Sequence, residues 1–505
     1  MPSRGSTDSL TEPSPGSSTG GVLPRLGVWP ASCSGTRRHV TTAAARSGSG
    51  GYLLPEQPIA SFDEFANEGG GRGLHAALEA GPEATIAQIE ASGLRGRGGA
   101  GFSTGRKWAS VRSAGSGSRF VVANGAEGEP ATFKDRTLMR LDPYRIIEGA
   151  AIAAFAVGAG TIYLATKRSY QREAEALKRA AVEMSAAGIL QELSVNIVEG
   201  PDEYLFGEEK ALLEVIEGRE PLPRLLPPYQ FGLFATAPSG SWEAESTPLS
   251  SRADSNPTVV NNVETLASAA HIMARGSAWF RSMGTVESPG TVLVTVVGDV
   301  IRAGVHEVEF GTPLADVLAM CGGAFPGRQF KAALSGVSSA VLTAGDLQTP
   351  LTYGDFAARG LALGAAGFVV YDDSVNMATV AYEMSRFLSI ESCGQCPPCK
   401  QGSLTITGHL ADVLNQIADE SVMGQVEARL RSVTDANRCF LGTEEQAVVS
   451  SILRSFPADV VEFLEHRVVD PRLVQVPLIK DIDADGSVVY DTSHSRKRPD
   501  WTFAE

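Results

Sequence analysis

The chain has 505 residues, of which 43% are apolar and 20% are charged, and its formal net charge is -15 at pH 7. This length and composition are typical of a globular protein of about three domains with a sizeable buried core. The negative charge argues against a broad nucleic-acid-binding surface, since such surfaces are basic. Because the chain has only six cysteines, we expect a reducing compartment such as a bacterial cytoplasm.

Residues 1–51 are rich in Ser, Gly, Thr, Pro and Arg and contain no apolar run long enough for a secretory signal. We interpret them as a disordered leader. Arg37, Arg38 and Arg46 are flanked by Ser, Thr and Ala, so an organellar transit peptide is an alternative. A misassigned start codon would produce the same pattern.

Residues 52–285 alternate helical patterns with β-rich runs at 120–123, 161–164 and 193–198, which predicts an α/β domain. Within it, the Pro/Ser/Gly-rich residues 221–257 predict a long surface loop. The apolar residues 149–166 approach the length of a membrane span. Small residues and the Gly158–Gly160 break instead favour a buried helix followed by a strand, so we expect no transmembrane helix.

Residues 286–373 carry two strand patterns, a helix at 313–321 and a further strand at 367–371, which predicts a small β-grasp-like domain. Amphipathic segments at 378–389, 404–417, 423–433 and 444–465 then predict a helical domain over residues 374–470. Residues 471–505 form a C-terminal extension, either a docking segment or a loose hairpin.

Three cysteines stand at two-residue gaps in residues 391–400, and a fourth follows forty residues later. A [4Fe–4S] cluster needs four thiolates, of which a tight loop can supply three. A zinc site usually takes paired Cys-x-x-Cys units, and a disulfide framework belongs to short secreted chains. Cys33 lies in the leader, and Cys321 lies in an apolar run that is typical of a buried structural thiol. The predicted cluster ligands are Cys393, Cys396, Cys399 and Cys439.

Residues 96–101 contain the Gly-x-Gly-x-x-Gly pattern of dinucleotide-binding loops. Residues 84–93 before it have a helical pattern, whereas a Rossmann loop follows a strand. The glycines still allow backbone amides to approach a phosphate or a flat ring, and Arg97 and Lys107 add positive charge.

Three polar segments follow at residues 124–130, 204–209 and 261–265. Their carboxylates and amides in glycine-rich turns suit ribityl hydroxyls and the edges of a flavin ring. Each segment taken alone could be an ordinary turn with solvated charges.

In this order the segments resemble one family, the NADH-binding flavoprotein subunit of respiratory complex I, found also as the diaphorase subunit of NAD-linked hydrogenases and formate dehydrogenases. The resemblance runs from about residue 52 to about residue 464. Its most specific marks are residues 96–102, 133–136, 207–209, 261–265 and 391–399.

The resemblance implies an α/β domain that binds FMN and NADH or NADPH, a β-grasp domain and a helical bundle with the 4Fe–4S cluster. It implies an electron-input module that delivers electrons to other redox subunits, a ferredoxin-like acceptor or a quinone-linked one. The matching cofactor-binding positions are Gly96, Arg97, Gly98, Gly99, Phe102, Lys107, Asn124, Glu127, Tyr204, Gly207, Glu208, Asn261, Asn262 and Thr265. Phe102 and the two catalytic candidates, Glu129 and Glu209, match positions that face the nicotinamide nucleotide.

Five positions depart from the family pattern. Ala126 replaces a carboxylate expected at FMN, Leu226 replaces a lysine, and Ser110 replaces an aromatic ring expected to stack on adenine. Phe206 and Lys210 place a larger ring and a cation close to the site. A non-catalytic electron relay or scaffold that has lost the nucleotide is therefore the alternative. In either case we expect a cytoplasmic protein, peripheral to a membrane complex at most.

Overall fold

The computed structural model describes residues 51–114, 117–235, 255–419 and 421–504. The predicted leader, apart from residue 51, and the central residues 236–254 of the predicted loop lie outside the described residues. The described flanks of that loop, residues 221–235 and 255–257, contain neither helix nor strand.

Among the described residues, four helices come first, helices and strands are then interspersed up to residue 372, and five helices and a two-stranded hairpin follow. The helices are α1 (Phe62–Asn67), α2 (Arg72–Ala80), α3 (Pro82–Ser92), α4 (Thr104–Ser113), α5 (Lys134–Leu141), α6 (Pro143–Val157), α7 (Gln171–Ala186), α8 (Glu209–Ile216), α9 (Val263–Arg275), α10 (Ser277–Arg281), α11 (Leu314–Met320), α12 (Tyr353–Ala358), α13 (Met377–Glu391), α14 (Pro397–Leu414), α15 (Ser421–Ser432), α16 (Leu441–Ser455) and α17 (Pro457–Leu464). The strands are β1 (Phe120–Asn124), β2 (Thr161–Lys167), β3 (Ser194–Gly200), β4 (Thr258–Asn262), β5 (Thr291–Gly298), β6 (Gly304–Glu309), β7 (Phe330–Ser335), β8 (Leu342–Thr343), β9 (Gly367–Asp372), β10 (Ile479–Ile482) and β11 (Val488–Tyr490).

The first sheet is parallel, with strand order β3-β2-β1-β4. The three strands expected from the sequence are confirmed as β1, β2 and β3. Strand β4 was missed, because residues 258–262 end in two asparagines, which are poor strand formers. It pairs with β1 in such a register that Asn124 and Asn262 stand side by side at their carboxyl ends.

Helix α6 is buried along almost its whole length and lies against α9. A side chain at Gly149 would collide with the main-chain carbonyl of Leu266, so only glycine allows the two backbones to approach so closely. The helix ends at Gly158 in a left-handed conformation and strand β2 follows, as the sequence predicted. In the described part of the chain, no helix is long and apolar enough to cross a membrane.

The second sheet is mixed, with strand order β6-β5-β9-β7-β8 and a parallel pair between β5 and β9. One face packs on α11 through residues such as Val294, Leu318 and Phe368. The other face contributes Leu334 and Val369 to a core shared with the C-terminal helices. Strands β7 and β8 were not predicted. Lysine and two alanines in β7 explain that miss, since they are weak strand formers.

Helices α13 and α15 begin and end within two residues of their predicted bounds, whereas α14 begins seven residues before its predicted start and residues 444–465 do not form one helix. They divide into α16 and α17 at Phe456, because Pro457 cannot continue α16 and instead occupies the first turn of α17. Cys399 lies inside the first turn of α14 rather than in the preceding loop. Beyond the helices, β10 and β11 form an antiparallel hairpin.

Candidate functional site

The carboxyl ends of β1 and β4 lie at the edge where parallel sheets bind ligands, and we call the polar region beside this edge the cleft. The glycine-rich loop 96–101 lies over this edge. The amide of Arg97 donates to Thr265 Oγ1 at 2.9 Å. A Cβ atom at Gly98 would lie 3.3 Å from the Cβ of Asn262. Tertiary structure therefore brings the glycine loop and residues 261–265 together.

The glycine loop is shaped to leave its backbone accessible. Gly99 and Gly101 have φ angles of +129° and +60°, which favour glycine. A Cβ atom at Gly99 would meet no described atom within 4 Å, so this stretch of backbone faces open space. The guanidinium of Arg97 points elsewhere, because it donates to the carbonyl of Thr291 at 3.1 Å and lies 3.7 Å from buried Glu264. In the glycine loop, therefore, Arg97 forms a main-chain hydrogen bond, and its positive charge lies away from the open backbone.

Lys107 supplies the positive charge beside the loop. Its Nζ lies 3.1 Å from the carboxylate of Glu209 and 3.1 Å from the carbonyl of Val260. Glu208 caps α8 by accepting from the amides of Lys210 and Ala211. Burial raises the pKa of Glu208 to about 7.

The 3-10 turn Tyr204–Gly207 closes the cleft. Asn124 Nδ2 donates to the carbonyl of Gly207 at 2.8 Å. A Cβ atom at Gly207 would lie 2.8 Å from the carbonyl oxygen of Ala126, so the turn rests directly on the backbone after β1. The Tyr204 hydroxyl donates to Glu129 at 2.8 Å. The predicted residues of these two segments are thus brought together.

Glu129 is held among groups from three parts of the fold. Its second oxygen accepts from the amide of Val337 at 2.7 Å, and burial raises its pKa despite these hydrogen bonds. Glu444 of α16, which the sequence reasoning missed, lies 3.2 Å from the Tyr204 hydroxyl. Burial and the nearby Glu129 raise the pKa of Glu444 well above its usual range. No local pattern marks Glu444, since it looks like one charge on an amphipathic helix.

Two predicted cofactor-binding residues point into the protein. The Glu127 carboxylate accepts from Arg136 Nε at 2.9 Å and from the amide of Asp135 at 3.1 Å. Asn261 Oδ1 accepts from Trp108 Nε1 at 2.8 Å and so holds α4 against β4. Their observed contacts are structural.

Residues 133–136, one of the motifs that carry the family resemblance, support the floor of the cleft. Lys134 Nζ lies 2.7 Å from Asp135 and 2.7 Å from Glu264, and all three side chains are buried. Asn262 Nδ2 donates to Asp135 at 2.7 Å. This network fixes the asparagine amide. Phe102 is 57% exposed and lies at the rim of the cleft.

The four predicted cluster ligands line one cavity. The other residues of its wall are Leu205, Pro223, Ser392, Asn437, Arg438 and Leu441. All four thiols are free, so these cysteines form no disulfide. Cys321 lies apart from them and is buried, as predicted, with its Sγ 3.4 Å from His306 Nε2.

The donor set consists of four cysteine thiols around one cavity, which is the number of ligands that a 4Fe–4S cluster takes. Burial raises the pKa of Cys399 to about 11 and that of Cys439 to about 12. Thiolates in such a place need positive charge from bound iron. The amide of Arg438 also donates to Cys396 Sγ at 3.4 Å, a contact typical of iron–sulfur sites.

The departures from the family pattern occupy different surroundings. Ala126 and Phe206 are buried in the same apolar cluster on one face of the parallel sheet. Leu226 is buried against Phe231. Ser110 is exposed on α4. Lys210 donates to the carbonyl of Arg438 beside the cysteine cavity.

Comparisons with known proteins decide the family. A family model described as the Nuo51 FMN-binding domain matches residues 89–271, and the NADH-ubiquinone oxidoreductase-F iron-sulfur binding region matches residues 379–463. An SLBB domain matches residues 293–332. The second F subunit of the NADH-quinone oxidoreductase of Rhizobium meliloti is 36% identical over 412 residues, covering 79% of this chain and 93% of the relative. The chain belongs to the F-subunit family of NADH-quinone oxidoreductases.

Further relatives match a similarly large share of this chain. The corresponding F subunit of Streptomyces coelicolor is 32% identical, covering 85% of this chain and 95% of the relative. The alpha subunit of the NAD-reducing hydrogenase HoxS of Cupriavidus necator is 33% identical over 80% of this chain, which spans 63% of that relative. An NAD+-reducing [NiFe]-hydrogenase crystallised in the H2-reduced state superposes with a TM-score of 0.65 at 30% identity, covering 78% of this chain and 63% of that one.

The structure fits both cofactors of this family, FMN and a 4Fe–4S cluster. The open glycine backbone with Lys107 suits a phosphate, and the Asn124 amide suits a hydroxyl or ring-edge group, whereas the Asn262 amide is already bonded to Asp135 and Glu264. The cysteine cavity suits the cluster.

Proposed function

We propose that the protein is the electron-input module of an oxidoreductase, taking electrons from NADH or NADPH and passing them to another redox protein. The turn Tyr204–Gly207 carries this proposal. Its Gly207 carbonyl is bonded to Asn124 in the cleft, whereas Leu205 lines the cysteine cavity. One turn therefore forms a wall of both sites. That proximity is what electron transfer between them requires.

The residues of the cleft have positioning and electrostatic roles. The glycine-loop amides and Lys107 would hold the FMN phosphate, Asn124 would orient its polar groups, and Asn262 would support the floor of the site. Glu129 and Glu209 would face the nicotinamide nucleotide. Bound FMN would supply the conversion of the electron pair of a hydride into single electrons, which a 4Fe–4S cluster held by the four cysteines could carry. Leu205 and Leu441 exclude water on the cluster side.

The proposed domains are the FMN domain 52–285, a β-grasp domain 286–373, the cluster domain 374–470 and the C-terminal extension 471–505. The strand order of the second sheet and the SLBB match at residues 293–332 support the second of these. We further propose a cytoplasmic protein that docks on other redox subunits or a ferredoxin-like acceptor, peripheral to a membrane complex at most. Relatives named as subunits of quinone oxidoreductases and hydrogenases support this assignment.

A second candidate is an electron relay that no longer binds the nucleotide. The apolar surroundings of Ala126 favour it, because Phe206 and Val260 lie in the same buried cluster and Ala126 itself offers no charged acceptor. Losing one charged acceptor costs about 1.5–3 kcal/mol of binding, or roughly one to two decades in affinity.

An absorbance spectrum of the anaerobically purified protein separates the two candidates. Flavin bands that bleach on addition of NADH or NADPH support the electron-input module, and the better reductant identifies the donor. Cluster absorbance without flavin, unchanged by either nucleotide, supports the relay.

A further inference from the structure

The C-terminal extension lies beyond every matched family region, the last of which ends at residue 463. Its hairpin packs on the FMN domain. The amide of Ala131 donates to the carbonyl of Pro477 at 2.9 Å, and Arg136 Nη1 donates to the carbonyl of Ile479 at 2.6 Å. We name residues 476–504 the C-terminal clamp.

After the hairpin the clamp reaches the end of α13, where the cysteine loop begins. Trp501 Nε1 donates to the carbonyl of Ile390 at 2.9 Å. From the other side of the loop, Lys400 Nζ donates to the carbonyl of Ser392 at 2.7 Å and to that of Pro499 at 2.6 Å. Both ends of the cysteine segment 392–399, which is the loop after α13 together with the first turn of α14, are thus tied to the clamp.

The contacts converge on the carboxylate of Glu391, two residues before Cys393. One oxygen accepts from His494 Nε2 at 2.9 Å and from Lys497 Nζ at 2.7 Å. The other accepts from the amide of Tyr204 at 3.1 Å. A buried carboxylate is tolerated only with such partners.

We propose that the C-terminal clamp is part of the cluster site and that Lys497 and His494 are positioning residues. They hold Glu391, which joins the cysteine loop to the backbone of Tyr204 in the FMN domain. Without Lys497 the buried carboxylate lacks its cation, and the loop loses its fixed position against the turn Tyr204–Gly207. The inference rests on the proposed presence of the cluster, but it does not depend on nucleotide binding.

The test compares Lys497→Met with Lys497→Arg and Lys480→Met in the full-length protein. Lys480 is an exposed lysine of the same clamp, so Lys480→Met removes an equal charge elsewhere. Each variant is reduced with dithionite, which bypasses NADH and FMN. The readouts are the EPR line shape of the reduced cluster and the rate of iron release to a ferrous chelator.

We expect Lys497→Met to alter the EPR line shape and to release iron at least several-fold faster, and Lys497→Arg to restore both. Wild-type line shape and release rate in Lys497→Met would overturn the proposal. An equal change in Lys480→Met would overturn it as well, because the effect would then be one of net charge.

A second experiment tests the proposal without a substitution, in case the Lys497→Met protein does not fold. A protease recognition sequence inserted after exposed Val469 allows the clamp of the folded protein to be cut from the helices. After cutting, a high-salt wash removes the clamp. We expect faster iron release and an altered EPR spectrum only in the cut and washed sample. Equal iron release and EPR spectra in the cut and uncut samples would reject the role of the clamp in the cluster site. Failure of NADH to reduce the uncut protein would reject only the electron-input function.

Discussion

The ammonium group of Lys210 donates a hydrogen bond to the main-chain carbonyl of Arg438. Lys210 stands in the first turn of α8, beside the cleft residue Glu209, and Arg438 precedes the cluster ligand Cys439. A cation is therefore fixed between the two proposed cofactor sites. Lys210 is one of the five positions at which this chain departs from the pattern of the family that it resembles.

Replacing this lysine tests its effect on the cluster. We expect Lys210→Thr to lower the midpoint potential of the cluster. The positive charge of Lys210 stabilises the electron that the cluster gains on reduction, and threonine removes this charge. An interaction of about 1 kcal/mol at an effective dielectric constant of about 20 corresponds to about 40 mV for one electron. EPR-monitored redox titration measures the shift. Lys178→Thr, at an exposed position of α7, is the control. Equal midpoint potentials in the wild type and both variants would contradict the prediction.

Each cluster ligand should be essential for the cluster. We expect Cys396→Ser to lose most of its iron and its broad visible absorbance, because a hydroxyl does not replace a thiolate at this site. Cys321→Ser is the matched control, since Cys321 is buried far from the cavity in contact with His306. Iron and sulfide analysis of anaerobically purified protein gives the result. A full iron content in Cys396→Ser would remove this cysteine from the ligand set.

Lys107 should contribute to flavin affinity. We expect Lys107→Met to weaken FMN binding by about 10- to 100-fold, the usual effect of losing one charge-assisted hydrogen bond of about 1.5–3 kcal/mol. Titration of flavin-free protein with FMN, followed by quenching of flavin fluorescence, measures the dissociation constant. Arg106→Met provides the control because Arg106 is the exposed neighbour on the same helix. If both variants bind FMN equally well, the phosphate lies elsewhere.

Gly207 should tolerate no side chain. In Gly207→Ala the new Cβ would lie 2.8 Å from the carbonyl oxygen of Ala126, so the turn must move away from the cleft. We expect loss of flavin absorbance with retention of iron. Gly408→Ala in α14 is the control, because a Cβ there meets no described atom within 4 Å and alanine favours a helix by about 0.5–1 kcal/mol. Wild-type flavin content in Gly207→Ala would contradict the proposed site.

Glu445 should make stability depend on pH. Its side chain is fully buried, one oxygen accepts from Ser385 at 2.6 Å, and burial raises its pKa from 4.5 to about 8. The folded state therefore binds this proton more tightly than the unfolded state. The resulting stabilisation is complete below pH 4.5 and is lost as the pH rises through 8, by at most about 1.4 kcal/mol per pH unit.

Urea unfolding between pH 5 and pH 9 measures this dependence. We expect Glu445→Gln to show a weaker fall in unfolding free energy with rising pH than the wild type, whatever its absolute stability. Exposed Glu427→Gln should keep the wild-type slope. Identical slopes in the two variants would show that Glu445 does not titrate in this range.

The sequence was sufficient to predict those features that depend on the spacing of residues close to each other in the chain. The cysteine spacing in residues 391–400 predicted a group of neighbouring thiols, which the structure brings together with Cys439 around one cavity, and helical periodicity predicted α6 and the C-terminal helices. Family membership and both cofactors were also correctly inferred from motif order. Strand β7 was missed, because its alanines and lysine become a strand only through pairing with β9.

The direction of individual side chains was decided by tertiary contacts. Arg97 and Glu127 stand in cofactor-like motifs, yet their charged groups are bound by Glu264 and Arg136 inside the protein. Glu444 and Lys497 have no sequence signal, and only the folded chain brings them to Tyr204 and Glu391.

The sequence by itself therefore determined the family and its cofactors and predicted the cysteine ligands, since these depend on residue type at fixed spacing. Only the tertiary structure decided which charges face the cleft and that the C-terminal extension reaches the cysteine loop. A buried charge needs partners from distant segments, and no local pattern records which segments will meet.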